Sequence, residues 1–254
     1  MSAVTVTYAL LFYIATLVFV AGVARKIYIF ARTPQPLKIP TTPAPTTYAG
    51  VAARMAREVV LFESLFKSNK WIWIFGWVFH LSLLLAFFRH LRYALTPDCM
   101  LWPLVNLELV QAAGKYAGYA MLLGLAGLLA RRFVVDRVRY ISSPSDYLML
   151  LLLLGIAGSG LLMTFVSHTD IVALKAFVLG LLLFDWQALP TSALLLIHLT
   201  LVAALMIVFP FSKLLHAPGV FFSPTRNQRD NPREQRHVAG WSAKIDNTKA
   251  AGAG

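Results

Sequence analysis

Trp71-Ile-Trp-Ile-Phe-Gly-Trp-Val-Phe-His80-Leu-Ser-Leu-Leu-Leu-Ala-Phe-Phe-Arg-His90-Leu-Arg-Tyr93 is the stretch that decides the fold of this chain. It is long and apolar enough to cross a hydrocarbon core of ~30 Å as one helix, yet it carries two histidines. A second apolar stretch, residues 192–216, carries His198 and His216. An imidazole buried in lipid or in a helix bundle is costly unless its nitrogens are used, so the four histidines indicate one common function.

The composition identifies an integral membrane protein. Of 254 residues, 58% are hydrophobic and only 13% are charged, whereas charged residues make up about 25% of soluble domains. The net charge of +12 does not indicate a nucleic-acid partner, because the basic residues lie between apolar stretches, as in membrane proteins. The single cysteine, Cys99, excludes an intrachain disulfide, an iron–sulfur cluster held by this chain alone, and the C-x-x-C-H attachment of c-type haem.

The hydropathy pattern predicts an all-α membrane protein with a bundle of five transmembrane helices. We expect the first to be a retained helix and not a cleaved signal peptide, since no charged segment precedes it. Pro210 should kink the fifth helix. The five predicted spans are residues 4–23, 71–93, 116–130, 147–166 and 192–216.

Two further segments are predicted to lie at the membrane surface. Residues 48–66 repeat apolar side chains at helical spacing but also carry charges, which predicts an interfacial amphipathic helix. Residues 171–184 are apolar but short for a span, so we interpret them as interfacial, with a sixth span as the alternative. The prolines between 34 and 45 predict an extended linker. We expect residues 1–220 to form the membrane domain and residues 221–254 a basic cytoplasmic tail.

The basic residues predict the orientation in the membrane. With five spans, nineteen of the 23 lysines and arginines fall on one side, which the positive-inside rule makes cytoplasmic. The N-terminus is then periplasmic and the C-terminus cytoplasmic. A sixth span would place the basic tail outside. The other four basic residues are Arg89, Arg92, Lys115 and Lys175.

The histidine spacing predicts two haem sites. His80 and His90 are about 15 Å apart along a helix, while His198 and His216, five turns apart on a continuous helix, would share one face at about 27 Å. Because the two helices run in opposite directions, His80 pairs with His216 near the inner side and His90 with His198 near the outer side. Tilt and the bend at Pro210 must absorb the difference of about 12 Å.

Each pair would hold one haem b non-covalently by ligating its iron from both sides, which suits electron transfer. The small residues Gly155, Gly158, Ser159 and Gly160 offer a surface on which a helix or a haem face can pack closely. Two other classes remain open at this stage. One is a transition-metal transporter with histidine ligands, and the other is a membrane anchor whose histidines only pack.

The same residues resemble a known family. His80 and His90, then His198 and His216, with Phe209-Pro-Phe-Ser-Lys-Leu-Leu-His216 closing the last span, resemble the gamma subunit of respiratory nitrate reductase. The resemblance covers most of residues 1–220. It implies a five-helix cytochrome b in which His80 and His216 ligate the inner haem and His90 and His198 the outer one.

Within that superfamily three stretches look more like the cytochrome b subunit of the Dsr complex, which is associated with dissimilatory sulfite reductase. This resemblance implies a bacterial inner-membrane protein of sulfur metabolism that exchanges electrons with membrane quinone. It also implies a cytoplasmic iron–sulfur subunit related to heterodisulfide reductase, a periplasmic multihaem cytochrome c, and further membrane and iron–sulfur subunits. The stretches are Leu61-Phe-Glu-Ser-Leu-Phe-Lys-Ser-Asn-Lys-Trp-Ile-Trp73, Met163-Thr-Phe-Val-Ser-His-Thr-Asp170 and Gly219-Val-Phe-Phe-Ser-Pro-Thr-Arg-Asn-Gln228.

The resemblance to nitrate reductase also implies a quinone site near the outer haem, assisted by a lysine. The basic candidates on that side are Arg89, Arg92 and Lys115. We expect quinone to bind by His90, with Lys115 or Arg89 stabilising the quinol anion through charge-assisted hydrogen bonds. Alternatively, Arg89 and Arg92 extend to the interface or pair with haem propionates.

Overall fold

The computed structural model describes residues 1–34, 40 and 42–230. These residues form α-helices and 3-10 turns, and the all-α prediction is confirmed. The α-helices are α1 (Ala3–Arg32), α2 (Tyr48–Leu61), α3 (Glu63–Ser68), α4 (Lys70–His90), α5 (Trp102–Val105), α6 (Glu108–Val134), α7 (Asp136–Ile141), α8 (Pro144–Phe165), α9 (Ile171–Leu183), α10 (Ala193–Val208), α11 (His216–Gly219) and α12 (Pro224–Asn227).

Five of the described helices are long and apolar enough to cross a membrane, as the sequence predicts. They contain α1, α4, α6, α8 and α10. Polar side chains start several of them. Asn69 caps α4 by accepting from the Ile72 amide at 3.0 Å, and Ser143 and Asp146 form a capping box at α8. These caps satisfy amides that have no partner within the helix.

The chain divides into two compact units, and α1 contributes to both. The first unit contains Met1–Ala24 and Phe62–Leu214. Within it, α6 packs between α4 and α8, and α10 packs on α8. An apolar cluster joins α4, α6 and α8 through the buried side chains of Phe79, Met121, Leu125, Leu153 and Ala157.

The polar contacts of the first unit give the helix directions. The Trp71 indole donates to the Gly127 carbonyl, and the Arg89 side chain donates to the Gln111 carbonyl, so α4 and α6 are antiparallel. Ser159 contacts His198, and Asp146 contacts Lys213, so α8 and the segment beginning with α10 are antiparallel as well.

This arrangement decides between the two interpretations of residues 171–184. If α9 crossed the bundle, α8 and α10 would run in the same direction, and they do not. Helix α9 therefore starts and ends at the end of the bundle where α8 stops and α10 begins. The Asp170 side chain caps it, accepting from the Val172 and Ala173 amides at 3.0 Å each. The structure thus supports five spans.

The second unit contains Arg25–Leu61 and the chain from Leu215 onward. In it, Arg54 on α2 donates to the carbonyls of Arg226 at 2.7 Å and Gln228 at 3.0 Å. The Arg226 guanidinium lies 3.6 Å from the Glu58 carboxylate. These bonds fix the segment around α12 against α2. The predicted proline linker lies partly, and the tail beyond residue 230 wholly, outside the described residues.

Three of the boundaries predicted from the sequence are wrong. Helix α1 continues past Arg25 to Arg32, and the third span begins at Glu108 and not near residue 116. The predicted amphipathic helix over 48–66 is two helices, because Phe62 has φ 51° and ψ 47°. A residue in this left-handed conformation cannot continue a right-handed helix.

The expectation of one helix from residue 192 to His216 is also wrong. The α-helix ends at Val208, and Phe209–Phe211 form a 3-10 turn around the buried Pro210. Ser212 is extended, with ψ 171°, and His216 starts the separate short helix α11. The predicted proline effect is confirmed and is stronger than a kink, since proline lacks the amide hydrogen that the helix needs. The separation of about 27 Å calculated for a continuous helix therefore does not apply.

Candidate functional site

Helix α4 holds its two histidines in the same way. Nδ1 of His80 lies 2.7 Å from the Gly76 carbonyl, and Nδ1 of His90 lies 2.6 Å from the Ala86 carbonyl, each four residues earlier. A carbonyl only accepts, so each Nδ1 carries the hydrogen. In that tautomer the lone pair is on Nε2. Nε2 can therefore ligate a metal, while the hydrogen bond from Nδ1 fixes the orientation of the ring.

Aromatic side chains surround His80. The rings of Phe79 and Phe62 each meet its imidazole edge-on with centroids 5.0 Å apart. Phe62 is the residue in the left-handed conformation between α2 and α3, and that backbone conformation is costly for an aromatic residue. The strained link thus accompanies a packing contact on a predicted ligand.

His198 is held by a neighbouring helix. It is buried on α10, and its Nδ1 lies 2.9 Å from the hydroxyl oxygen of Ser159 on α8. Gly160 lies beside the same ring, since a Cβ built on it would be 3.5 Å from Cε1 of His198. Ser159 and Gly160 of α8 therefore face a predicted haem ligand. The sequence predicted only that the small residues of α8 allow close packing, and it did not reveal the role of the serine hydroxyl.

His90 and His198, which the sequence pairs, both lie in the first unit. His90 on α4 and His198 on α10 lie within electrostatic range of each other. His216 is exposed and belongs to the second unit. Its pairing with His80 stays a prediction from the sequence.

The residues around His90 and His198 fit a haem b with two imidazole ligands. Both rings engage Nδ1 in a hydrogen bond, which is the arrangement that orients an imidazole toward a metal through Nε2. On α8, Gly160 lies beside His198, and a Cβ built on the nearby Gly158 would meet nothing within 4 Å. The donor chemistry and the small side chains are thus both compatible with a flat macrocycle.

Two of the three predicted quinone-site residues, Arg89 and Arg92, lie within electrostatic range of His90 at the junction of α4 and α6. Arg89 donates to the Gln111 carbonyl, and Arg92 donates to the Gln111 side-chain oxygen at 3.1 Å. Lys115 lies one turn after Gln111, with its ammonium 5.5 Å from the centre of the Phe165 ring. Gln111 was missed from the sequence because the third span was predicted to begin after it.

An ion cluster occupies the other end of the first unit. Asp146 is buried, and its two carboxylate oxygens lie 2.7 and 2.8 Å from the Lys213 ammonium. Arg132 lies 3.6 Å from the same carboxylate. In the part of the chain that the structure describes, no group of three or more His, Cys, Asp and Glu side chains could hold a metal ion.

Comparison with known proteins gives one family. A family model described as nitrate reductase gamma subunit matches residues 49–232, a range that includes all four predicted ligands. The Hdr-like menaquinol oxidoreductase cytochrome b-like subunit of Archaeoglobus fulgidus is 35% identical over 90% of this chain and 81% of that protein. The subunit of the same description from Archaeoglobus profundus is 33% identical over 90% of this chain and 80% of that protein. The gamma chain of respiratory nitrate reductase 2 of Escherichia coli is 29% identical over 58% of this chain and 72% of that protein.

Proposed function

Because this chain belongs to the nitrate reductase gamma subunit family, we propose that it is a quinone-linked electron-transfer subunit, with two b-type haems, of a larger membrane complex. The observation that carries the proposal is the proximity of His90 and His198, each with Nδ1 engaged in a hydrogen bond. These two would ligate the outer haem. His80 and His216, paired by the sequence, would ligate the inner one.

A bound haem supplies a one-electron couple, and imidazole ligands on both faces of the iron suit electron transfer. The residues of this chain would bind the haems and orient the ligating histidine rings. The carbonyls of Gly76 and Ala86 hold the rings of His80 and His90, and the aromatic rings of Phe62 and Phe79 pack against His80. The protein thus supplies imidazole ligands in a defined tautomer, and hydrogen bonds and neighbours of this kind tune the couple.

The quinone site is proposed near His90, where Arg89 and Arg92 place positive charge, with Lys115 one helical turn beyond their partner Gln111. Both arginines already donate to Gln111. We therefore propose that Lys115 donates the hydrogen bond to the quinone oxygen and that the arginines have a supporting role. A lysine ammonium stabilises a developing oxyanion through a charge-assisted hydrogen bond. The names of the Archaeoglobus relatives favour menaquinol as the quinol.

The complex is proposed to serve dissimilatory sulfur metabolism in the bacterial inner membrane. Its partners would be a cytoplasmic heterodisulfide reductase-like iron–sulfur subunit, a periplasmic multihaem cytochrome c, and further membrane and iron–sulfur subunits. The Hdr-like description of the relatives supports the first of these. The N-terminus would be periplasmic and the C-terminus cytoplasmic, as the distribution of basic residues favours.

The haem proposal is tested on the purified full chain in detergent, with reduced-minus-oxidised spectra and pyridine haemochrome quantification. We expect about two b-type haems per chain and the loss of one in each of His80→Ala, His90→Ala, His198→Ala and His216→Ala. Protein without haem, or haem content that none of the four changes affects, would refute the proposal. Bound labile metal ions would then favour a transporter, and a colourless protein without ions would favour an anchor.

The quinone proposal is tested by the rate at which a menaquinol analogue reduces the haems. Lys115→Ala should lower that rate while both haems are retained. Lys175→Ala is a matched control, because its ammonium also lies over an aromatic ring, 4.5 Å from the centre of Trp102. Equal rates in wild type and Lys115→Ala would refute the assignment of Lys115.

A further inference from the structure

The hydrogen bond of His198 differs from those of the α4 histidines. His80 and His90 each use a carbonyl of their own helix, so their orientation depends on α4 alone. The Nδ1 of His198 instead contacts Ser159, which lies on a different helix. The orientation of this ring therefore depends on how α8 packs against α10.

The bonds of Ser159 determine the direction of hydrogen donation. Its hydroxyl oxygen lies 2.7 Å from the Gly155 carbonyl and 3.1 Å from the Ile156 carbonyl, and it donates its single hydrogen to them. The oxygen then has lone pairs left to accept from Nδ1–H of His198. The Ile156 carbonyl also faces the same imidazole, and a carbonyl too can only accept.

A serine in the middle of an apolar helix can also have a simpler role, in which its hydroxyl bonds only to a carbonyl of its own helix. Ser82 on α4 is also buried, and its hydroxyl donates to the Phe79 carbonyl at 2.9 Å. Such a bond satisfies the hydroxyl within its own helix. Ser159 also bonds to carbonyls of its own helix, but of the two serines it is the one with a contact to a histidine of another helix.

We propose that Ser159 is a positioning residue, which accepts the Nδ1–H of His198 across the α8–α10 contact and thereby fixes the tautomer and ring orientation in which Nε2 ligates iron. The inference rests on the haem ligation proposed above. Loss of such a partner typically lowers metal affinity 10- to 100-fold. We expect about tenfold here, the lower end of that range, because the Ile156 carbonyl remains near the ring.

The test compares wild type with Ser159→Ala, Ser82→Ala and Ser159→Thr as purified full chains. Haem release to apomyoglobin and the midpoint potential of each haem are measured. In Ser159→Ala, one haem should be released about tenfold faster. Its potential should rise, because the imidazole becomes a weaker donor to the oxidised iron. The release and potential of the other haem should be unchanged. Ser82→Ala should match wild type in both measurements. Ser159→Thr keeps a hydroxyl and should stay close to wild type.

Wild-type release and potentials in Ser159→Ala would overturn the inference, and so would equal changes in both haems, which indicate general loosening of the bundle. If Ser159→Ala does not accumulate, Ser159→Cys replaces the hydroxyl with a weaker acceptor, and an unchanged potential would be equally decisive. A wild-type chain without haem, or one whose haem content is indifferent to His198→Ala, overturns the proposed function itself. Two haems in wild type, one of them lost in His198→Ala and unchanged in Ser159→Ala, would overturn only the role of Ser159.

Discussion

The contact between α4 and α6 predicts that Gly124→Ala destabilises the bundle. A Cβ at this position would lie 2.9 Å from the Phe75 carbonyl oxygen and 2.9 Å from the Phe79 amide nitrogen. That is roughly 0.5 Å or more inside the optimum separation of non-bonded atoms. Both atoms are backbone atoms of α4, so a side-chain rotation does not relieve the clash and the two helices must separate.

The magnitude follows from two opposing contributions. Overpacking a well-packed contact with a methyl group costs about 1–3 kcal/mol. Alanine gains about 0.8–1.0 kcal/mol over glycine in helix propensity. Gly118→Ala on the same helix is the matched control, because the three atoms nearest to its Cβ would all belong to the Leu161 side chain and not to the backbone, the closest being Cδ2 at 2.7 Å. That side chain can rotate. The propensity gain is common to both variants and cancels, so the difference between them is about 1–3 kcal/mol.

Thermal unfolding in detergent, followed by circular dichroism, measures this difference. For a chain of 150–250 residues, 1 kcal/mol corresponds to about 2–4 °C in Tm. Gly124→Ala should therefore unfold about 2–12 °C below Gly118→Ala. Equal Tm values for the two variants would refute the close backbone contact between α4 and α6.

Two more predictions concern the opposite ends of the bundle. The proposed membrane orientation predicts that a membrane-impermeant maleimide labels Cys99 in intact spheroplasts. Tyr140→Cys in a Cys99→Ser background should be labelled only after permeabilisation. The reverse pattern would show that the orientation is the opposite one. The buried ion cluster predicts that Asp146→Asn lowers the free energy of unfolding by about 1–3 kcal/mol, since it weakens charge-assisted bonds at a buried site. Asp136→Asn, whose partner Arg139 is exposed, should change it by less than about 0.5 kcal/mol, and similar effects of both changes would contradict the assigned importance of burial.

Much of the fold could be predicted from the sequence, because a membrane span is encoded by length and hydropathy alone. The five long helices are of this kind. The breaks at Phe62 and after Val208 were harder. Pro210 signals the second break through its missing amide hydrogen, but the local sequence around Phe62 carries no glycine or proline that would signal a left-handed residue. Its conformation is accompanied by the contact of its ring with His80, which no periodicity reveals.

The candidate site divides in the same way. Histidine spacing marked four possible ligands, and the bonds of His80 and His90 to their own helix follow from local geometry. The bond between Ser159 and His198 was not predicted, because the two residues are distant in sequence, and Gln111 was missed because the third span was predicted to begin after it. A polar residue on one helix gains such a role only from the neighbour that the fold places beside it.

The histidines of α4 and α10 are held by different contacts, so mutations that alter helix packing should affect them differently. Helix α4 presents both of its histidines with internally fixed rings, and the backbone contact at Gly124 holds α4 against α6. His198 depends instead on the packing of α8 on α10 through Ser159. Changes that shift α8 relative to α10 should therefore affect the site of His198 before that of His80. The two haems proposed above would therefore differ in potential, even though all four proposed ligands are the same amino acid.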